Sequence, residues 1–267
     1  MKSLEIFWVR HSVSKANITP EFEKLLFYFK YKDPAIVDGA ERGSCSLGDK
    51  LDRRVKNNEM VFCSEMRRAI QTAILMFPEK LKQGKLKVIP GVQETGPGPE
   101  GVTYKPETNK KYIMKWCDLM RESGGCNRYK KLFKTKKDVE TAVNKLYSII
   151  NNKVWEKLDD SRSATEYCLI RCLTKYLASK NINKIAIVSH SNYIRDEIMV
   201  KELLGKQINY IRKDKRLYNN QILDKKYKYD SKKIEVAGQE ILNMGCVFDD
   251  NNNVSCYKGR KQIFKEN

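Results

Sequence analysis

Four short, nearly uninterrupted apolar runs punctuate this chain: Leu4-Glu5-Ile6-Phe7-Trp8-Val9, Met60-Val61-Phe62-Cys63, Leu86-Lys87-Val88-Ile89-Pro90 and Ile185-Ala186-Ile187-Val188-Ser189. A run of that length with no polar alternation reads as a strand covered on both faces. Amphipathic stretches separate the runs. Such an order leaves few architectures open, and it predicts an α/β fold of three layers, α/β/α, with a mostly parallel central sheet and helices on both faces.

The intervening helices carry their own signals. Thr19-Pro20-Glu21 reads as a cap, a proline at the first helical position and an acidic first turn, followed by Phe22, Leu25, Leu26 and Phe29 on one face. After the second run, Ser64 is a candidate cap, Ile70, Ala73, Ile74 and Phe77 share a face, and Pro78 ends the helix. Residues 138–158 read as one helix, and Ser163 to Glu166 as a capping box opening another, with Leu169, Ile170, Leu173, Tyr176 and Leu177 inward. A helix is expected from about Tyr193. Met244–Phe248 and Val254–Lys258 flank an Asx-rich segment and predict a terminal hairpin at about 242–260. With no internal repeat and no clear linker, residues 1–267 read as one domain carrying an insertion at about 95–137, partly helical around 108–121.

Composition narrows the class. Lys and Arg number 52 against 33 Asp and Glu, a formal charge of +19. A lysine-rich composition imposed by codon usage would spread that charge evenly, yet residues 105–137 carry +8 and residues 210–233 carry +6. Clustered positive charge suggests an anionic partner, either a small phosphorylated or polyanionic substrate or a nucleic acid, with Tyr210, Tyr218, Tyr227 and Tyr229 interleaved among lysines in the second window. No recognisable nucleic-acid motif supports the latter. No stretch approaches the roughly 18–20 apolar residues of a membrane helix, and the start lacks a signal peptide's apolar region, so a soluble cytoplasmic protein is expected. Eight cysteines without a CxxC pair read as buried free thiols. Two histidines cannot build a multi-histidine metal site, and no metal or other cofactor is expected.

Chemistry collects after the strands. In open α/β folds the site lies beyond the carboxyl ends of the strands. Those positions here hold Arg10-His11-Ser12, Ser64-Glu65-Met66-Arg67-Arg68, Gln93-Glu94 and His190-Ser191-Asn192. Each residue alone has an ordinary structural explanation: a histidine that hydrogen-bonds, an arginine in a solvated first turn, an exposed loop glutamate. Together, two imidazoles, two or three guanidinium groups and a carboxyl would meet at one edge. Arginine forks match phosphate oxygens bidentately, and a neutral imidazole can attack phosphorus to give a covalent phosphohistidine.

At these positions the sequence resembles a known family. Val9-Arg10-His11-Ser12-Val13-Ser14-Lys15-Ala16-Asn17 is similar to the Arg-His-Gly-x-Ser-x-x-Asn signature of the histidine phosphatase superfamily, which includes cofactor-dependent phosphoglycerate mutase. Ser64–Ala73 resembles its Ser-Pro-Leu-x-Arg-Ala-x-Gln-Thr-Ala block, Val92-Gln93-Glu94 its Leu-x-Glu, and Val188-Ser189-His190-Ser191 its Val-Ser-His-Gly. The resemblance spans residues 4–198. It implies that His11 is the phosphorylated nucleophile, that Arg10, Arg68 and His190 surround the phosphoryl group with Asn17 adding a hydrogen bond, and that Glu94, or its neighbour Glu100, is the proton donor. Arg67 falls at the variable position.

Three departures stand out. Ser12 and Ser191 replace glycines where the backbone passes close to phosphate, so their hydroxyls become candidate substrate donors. Val13 stands where mutases usually carry Glu, and the mutase block after the acid residue is absent. The resemblance therefore implies a metal-independent phosphatase acting on phosphomonoesters, with a mutase, or an inactive member that binds nucleic acid or protein, as alternatives. Insertions after the acid residue commonly cover the site in this family. The +8 window in this one suggests a strongly anionic substrate.

Overall fold

The computed structural model describes residues 1–19, 32–95, 102–123, 125–159, 164–199, 219–242, 244–248 and 254–258. Six strands form one sheet: β1 (Lys2–Arg10), β2 (Met60–Cys63), β3 (Leu86–Val88), β4 (Lys184–Ser189), β5 (Ile222–Tyr229) and β6 (Ile234–Leu242), in the order β3-β2-β4-β1-β5-β6. The first four are parallel, with β4 seated between β2 and β1 so that Ile185 pairs with both Met60 and Ile6. β5 runs antiparallel to β1, and β6 antiparallel to β5. A second sheet pairs β7 (Met244–Phe248) with β8 (Val254–Lys258), the bounds the sequence predicts for the terminal hairpin. Its Asx-rich turn at 249–253 lies outside the described residues.

Alternation along the strands builds two cores. Phe7, Val9, Val61, Cys63, Leu86, Val88, Ala186 and Val188 face the helices Asp38–Lys50, Arg67–Met76, Pro106–Ser123 and Lys136–Leu146. Leu4, Ile6, Trp8, Met60, Phe62, Ile185 and Ile187 face Trp155, Leu158 and the helix Glu166–Leu177. Because successive strand side chains point to opposite faces, a run apolar throughout needs cover on both. The three-layer α/β arrangement follows.

Several expectations are corrected. The helix read over 138–158 spans only Lys136–Leu146; a 3-10 turn (Lys153–Trp155) and a short helix (Glu156–Asp159) follow. Thr135 opens the longer helix with a capping box to Asp138, a start two residues earlier than the apolar pattern showed. The helix Glu166–Leu177 is capped by Thr165, whose hydroxyl accepts from the Cys168 N–H at 3.4 Å. Ser163, the expected cap, and the helix expected after Thr19 lie outside the described residues, as do Glu100, Tyr210 and Tyr218. After β4 the chain makes one turn of helix at Ser191–Tyr193 and continues as a π-helix over Ile194–Met199.

The cysteines are also corrected. Cys45 and Cys126 form a disulfide across a separation of 81 residues, joining the helix Asp38–Lys50 to the insertion. Spacing alone could not reveal a pair brought together only by helix packing. Cys63, Cys117 and Cys168 are free thiols, and of these only Cys168 is exposed. Burial pushes the Cys117 thiol up to about 12.

Among the described residues, no helix is long and apolar enough to cross a membrane.

Candidate active site

The parallel strands deliver their carboxyl ends to one edge, and the hydrogen-bonded register puts the two histidines there together. β1 and β4 pair through Arg10 and Ser189, so the next residues, His11 and His190, leave the sheet side by side. The His11 N–H donates to the Ser189 carbonyl at 2.9 Å, and the two rings lie with centroids 5.0 Å apart. Both side chains are buried, at 2% and 0% exposure.

The tautomer of His11 is set locally. Its Nδ1 lies 2.6 Å from the Ser12 carbonyl oxygen, which can only accept, so Nδ1 carries the proton. The lone pair is then on Nε2, where Arg68 Nε donates at 3.2 Å. Burial, followed by the charges of Arg68 and Arg10, pulls the His11 pKa well below its ordinary value, against a smaller opposing effect of the Ser12 hydrogen bond. His190 is lowered in the same direction by burial, Arg68, His11 and Arg10. Two neutral rings surrounded by guanidinium groups are therefore the state at neutral pH.

Arg68 is the hub. It sits in the first turn of the helix Arg67–Met76, whose amino end is aimed at the crevice, and is 2% exposed. Its Nη2 lies 3.8 Å from Glu94 Oε2, and its Nη1 lies 4.0 Å from Asp33 Oδ1. Glu94 is fixed in turn by the Asn192 backbone N–H, which donates to Oε1 at 3.0 Å, while Oε2 stands 4.0 Å from His190 Nδ1. On its other side, His190 Nε2 meets Ser64 Oγ at 2.9 Å. One ligand atom each from His11, Glu94 and His190 falls within 4.8 Å of the other two. Two imidazoles and a carboxylate can hold a divalent cation in other settings. Here a guanidinium 3.2 Å from the His11 lone pair, with Arg10 adding a second charge, favours an anion instead.

The other expected residues are placed less directly. Asn17 is exposed and uses its side-chain carbonyl to cap Ser14, accepting from the Ser14 N–H at 2.9 Å and Oγ at 3.1 Å; its amide nitrogen is the donor end it can offer an anion. Ser12 is turned elsewhere. Its hydroxyl accepts from Asn220 Nδ2 at 3.2 Å and points to the Ala40 carbonyl at 3.5 Å, and its N–H donates to Thr72 Oγ1 at 2.9 Å. Ser191 Oγ is buried without a hydrogen-bond partner among the described residues, directly after His190. Ser64 is more than the helix cap the sequence suggests. Its hydroxyl accepts from the Met66 N–H at 3.3 Å, the helix itself starts at Arg67, and the same oxygen holds His190.

Sequence reasoning missed Asp33, Asn109 and the tyrosines beside Arg67. Asp33 is buried with φ of 48° and accepts from the Arg67 N–H at 2.9 Å and Asn109 Nδ2 at 3.1 Å. Arg67 donates from Nε to Asn109 Oδ1 at 2.9 Å, and its guanidinium lies 4.2 Å from the Tyr104 ring centroid and 4.0 Å from that of Tyr112. Lys32 stands 5.4 Å over Tyr104. Asp33 sits in a polar stretch with no periodic signal, and Tyr104, Asn109 and Tyr112 belong to the insertion, so no motif marks them.

The basic half of the insertion lies elsewhere. Arg128 bonds the Met76 carbonyl and pairs with Asp49 at 3.0 Å and Glu79 at 3.1 Å, while Lys82 pairs with Asp138 at 2.5 Å. These partners sit at and beyond the far end of Arg67–Met76, ten residues or about 15 Å from its site end. Lys130, Lys131, Lys134, Lys136 and Lys137 are exposed there. The expectation that this window covers the site is corrected: among the described residues of the insertion, the segment around 103–112 is the part that reaches it.

No protein-family model and no curated protein matches the chain. Among solved structures it is similar to a phosphoglycerate mutase from Bacillus anthracis, at 15% identity over 89% of this chain and 92% of that one, with a TM-score of 0.44. It is likewise similar to a phosphoserine phosphatase from Entamoeba histolytica, at 14% identity over 89% and 96%, with a TM-score of 0.42. A mycobacterial glucosyl-3-phosphoglycerate phosphatase matches at 11% identity over 90% and 97%, with a TM-score of 0.46.

Proposed function

We propose that this protein is a phosphatase that hydrolyses phosphomonoesters through a phosphohistidine at His11. The observation that carries the reading is the state of that ring: neutral, with its proton fixed on Nδ1 and its Nε2 lone pair held among Arg68, His190 and Glu94. In this reading the phosphoryl oxygens are gripped by Arg10, Arg68, Asn17 and Ser191 Oγ. Arg68 shifts its Nε–H from His11 to a phosphoryl oxygen. Nε2 attacks phosphorus as the ester bond breaks, and protonated Glu94 gives its proton to the leaving oxygen. Glu94, now a carboxylate, takes a proton from the water that attacks the phosphohistidine, which releases phosphate and returns His11 to the neutral state.

The reading of a strongly anionic substrate no longer draws on the lysines of 130–137. What supports an anionic leaving group is the wall beside Arg68, where Arg67 is clamped between Tyr104 and Tyr112 with Lys32 nearby.

The test is turnover of an aryl phosphate in EDTA, with His11→Ala as the blank. Wild-type protein is expected to turn over without added metal and to trap acid-labile phosphate on His11. Strict dependence on a divalent cation, or label on Ser12 or Ser14, would overturn the mechanism.

A further inference from the structure

A cation-lined cavity lies at the opposite end of β1 from His11. With a volume of about 660 Å³, it opens between the start of β1, the outer face of the helix Glu166–Leu177 and the turn joining β5 to β6. Lys2 lines it, and β1 carries the chain from Lys2 to Arg10, roughly 25 Å at strand rise, before the catalytic edge is reached. The cavity is unrelated to the chemistry at His11.

Its lining is strongly one-sided in charge. Among the described lining residues, Arg171, Lys175, Lys232 and Lys233 join Lys2 against one carboxylate, Asp230, while Glu235 just beyond the lining pairs with Lys233. That carboxylate is already committed, since Asp230 Oδ1 accepts from the backbone N–H groups of Lys232 at 2.8 Å and Lys233 at 2.9 Å. It thus shapes the turn that brings the two lysines to the rim. Arg171 is held in place across the groove. It donates to the Tyr167 hydroxyl at 2.7 Å from one side of its fork and reaches the Ser231 carbonyl at 3.4 Å from the other. Cations gathered on three separate elements, with the central one anchored, are a concave focus of positive potential rather than a solvated stripe.

Two aromatic rings supply the rest. Tyr167, 47% exposed, stands on the helix side, and Tyr229 lines the sheet side. An exposed ring beside fixed cations suits a ligand with a flat π-system and several negative charges. The volume is that of a small-molecule site, and too small for a tract of nucleic acid running through a groove.

We propose that this cavity binds a nucleoside polyphosphate, its base against Tyr167 and Tyr229 and its phosphates on Arg171, Lys175, Lys232 and Lys233. The site is independent of the phosphatase reading and stands or falls without it.

The test is calorimetric titration of the full chain carrying His11→Ala, in EDTA at physiological salt, so that the probe is not consumed. ATP, inorganic tripolyphosphate and a 20-nucleotide oligouridylate are the three probes. ATP is expected to bind one site, with affinity at least tenfold above tripolyphosphate. Exposed positions make the variants safe for folding: Lys175→Ala/Lys232→Ala/Lys233→Ala should weaken ATP at least tenfold, Tyr167→Ala should erase its advantage over tripolyphosphate, and added Arg68→Ala should change nothing. Equal affinity for ATP and tripolyphosphate would overturn the base contact. Tighter binding of the oligonucleotide would assign the surface to nucleic acid instead, and ATP binding that follows Arg68 rather than the lysines would place the ligand at the catalytic edge and end the proposal.

Discussion

Arg67 and Arg68 are neighbours in one helical turn, yet the fold gives them different work. Arg68 touches the His11 imidazole and lies within 4.0 Å of two carboxylates, whereas Arg67 is spent on Asn109 and two tyrosine rings. Arg68→Ala removes a donor that strengthens as charge develops on the phosphoryl group, and is expected to cost about 2–4 kcal/mol, or roughly 30–1000-fold in kcat/KM. Arg67→Ala should leave kcat for a neutral aryl phosphate within about threefold and raise KM for a substrate with an anionic leaving group. Equal losses from both would mean that Arg67 also grips the phosphoryl group. At this scale the sequence was highly legible wherever a motif had fixed spacing: His11, Arg68, Glu94 and His190 meet because four strands end at one edge. Residues that act through the insertion, such as Asn109, or through an irregular stretch, such as Asp33, carry no spacing to read. Ser12 shows a further limit, since a residue type compatible with anion binding says nothing about which way its hydroxyl turns.

Among the elements, the insertion and the β5–β6 hairpin were the hard ones. β5 reads Ile-Leu-Asp-Lys-Lys-Tyr-Lys-Tyr, a charged string that suggests surface. Lys225 is nonetheless fully buried, paired with Glu166 at 2.5 Å and donating to the Ile198 carbonyl at 2.7 Å, and Tyr227 bonds the same glutamate at 2.6 Å. A buried ion pair hides a strand from any pattern based on hydrophobicity. Continuous runs such as β2 and β4 had no such disguise. The insertion's lysines teach the converse, because charge counted along a window does not reveal which end of a helix it decorates. Neutralising Lys130, Lys131, Lys134, Lys136 and Lys137 together is accordingly expected to leave KM unchanged for any phosphomonoester at physiological salt; at about 15 Å, beyond a Debye length of roughly 8–10 Å, their charges are screened from the site. The Cys45–Cys126 bond closes a long loop between the first core helix and the insertion. Cys45→Ser/Cys126→Ser should lower unfolding free energy by about 2–4 kcal/mol in denaturant titration, an effect that vanishes when wild type is measured reduced.

For the whole molecule, buried ionisable groups set the response to pH. His11 and His190 are held neutral in the fold, while exposed imidazoles take up protons near pH 6.5. The unfolded chain therefore binds more protons than the folded one in mild acid. The stability these rings contribute is complete above about pH 7 and declines as pH falls through 6.5, at up to about 1.4 kcal/mol per pH unit for each ring. His11→Asn should flatten the slope of unfolding free energy between pH 6.5 and 5 by about one proton. Asp224 works with the opposite sign. Burial first, then Glu5, raises its carboxyl to about 6. Between pH 4 and 6 the folded protein holds a proton that the unfolded one has lost, so its cost is absent in acid and complete above pH 6. Asp224→Asn is expected to stabilise by about 1 kcal/mol at pH 7.5 and by nothing near pH 4, as read from denaturant midpoints.

The strand order also sets a timetable for the chain as it leaves the ribosome. β1 is made first, yet both its neighbours come late, β4 at Lys184–Ser189 and β5 at Ile222–Tyr229. At about 5–20 residues per second, Leu4–Val9 waits roughly 10 s or more before its first partner exists. Throughout that interval six residues suited to burial on both faces, with two open hydrogen-bonding edges, have only transient cover. His11 and His190 come side by side only once β4 has paired with β1, so the arrangement proposed above for phosphoryl transfer cannot assemble on a partial product. Any shortened chain ending before β4 inherits the sticky strand without the paired histidines.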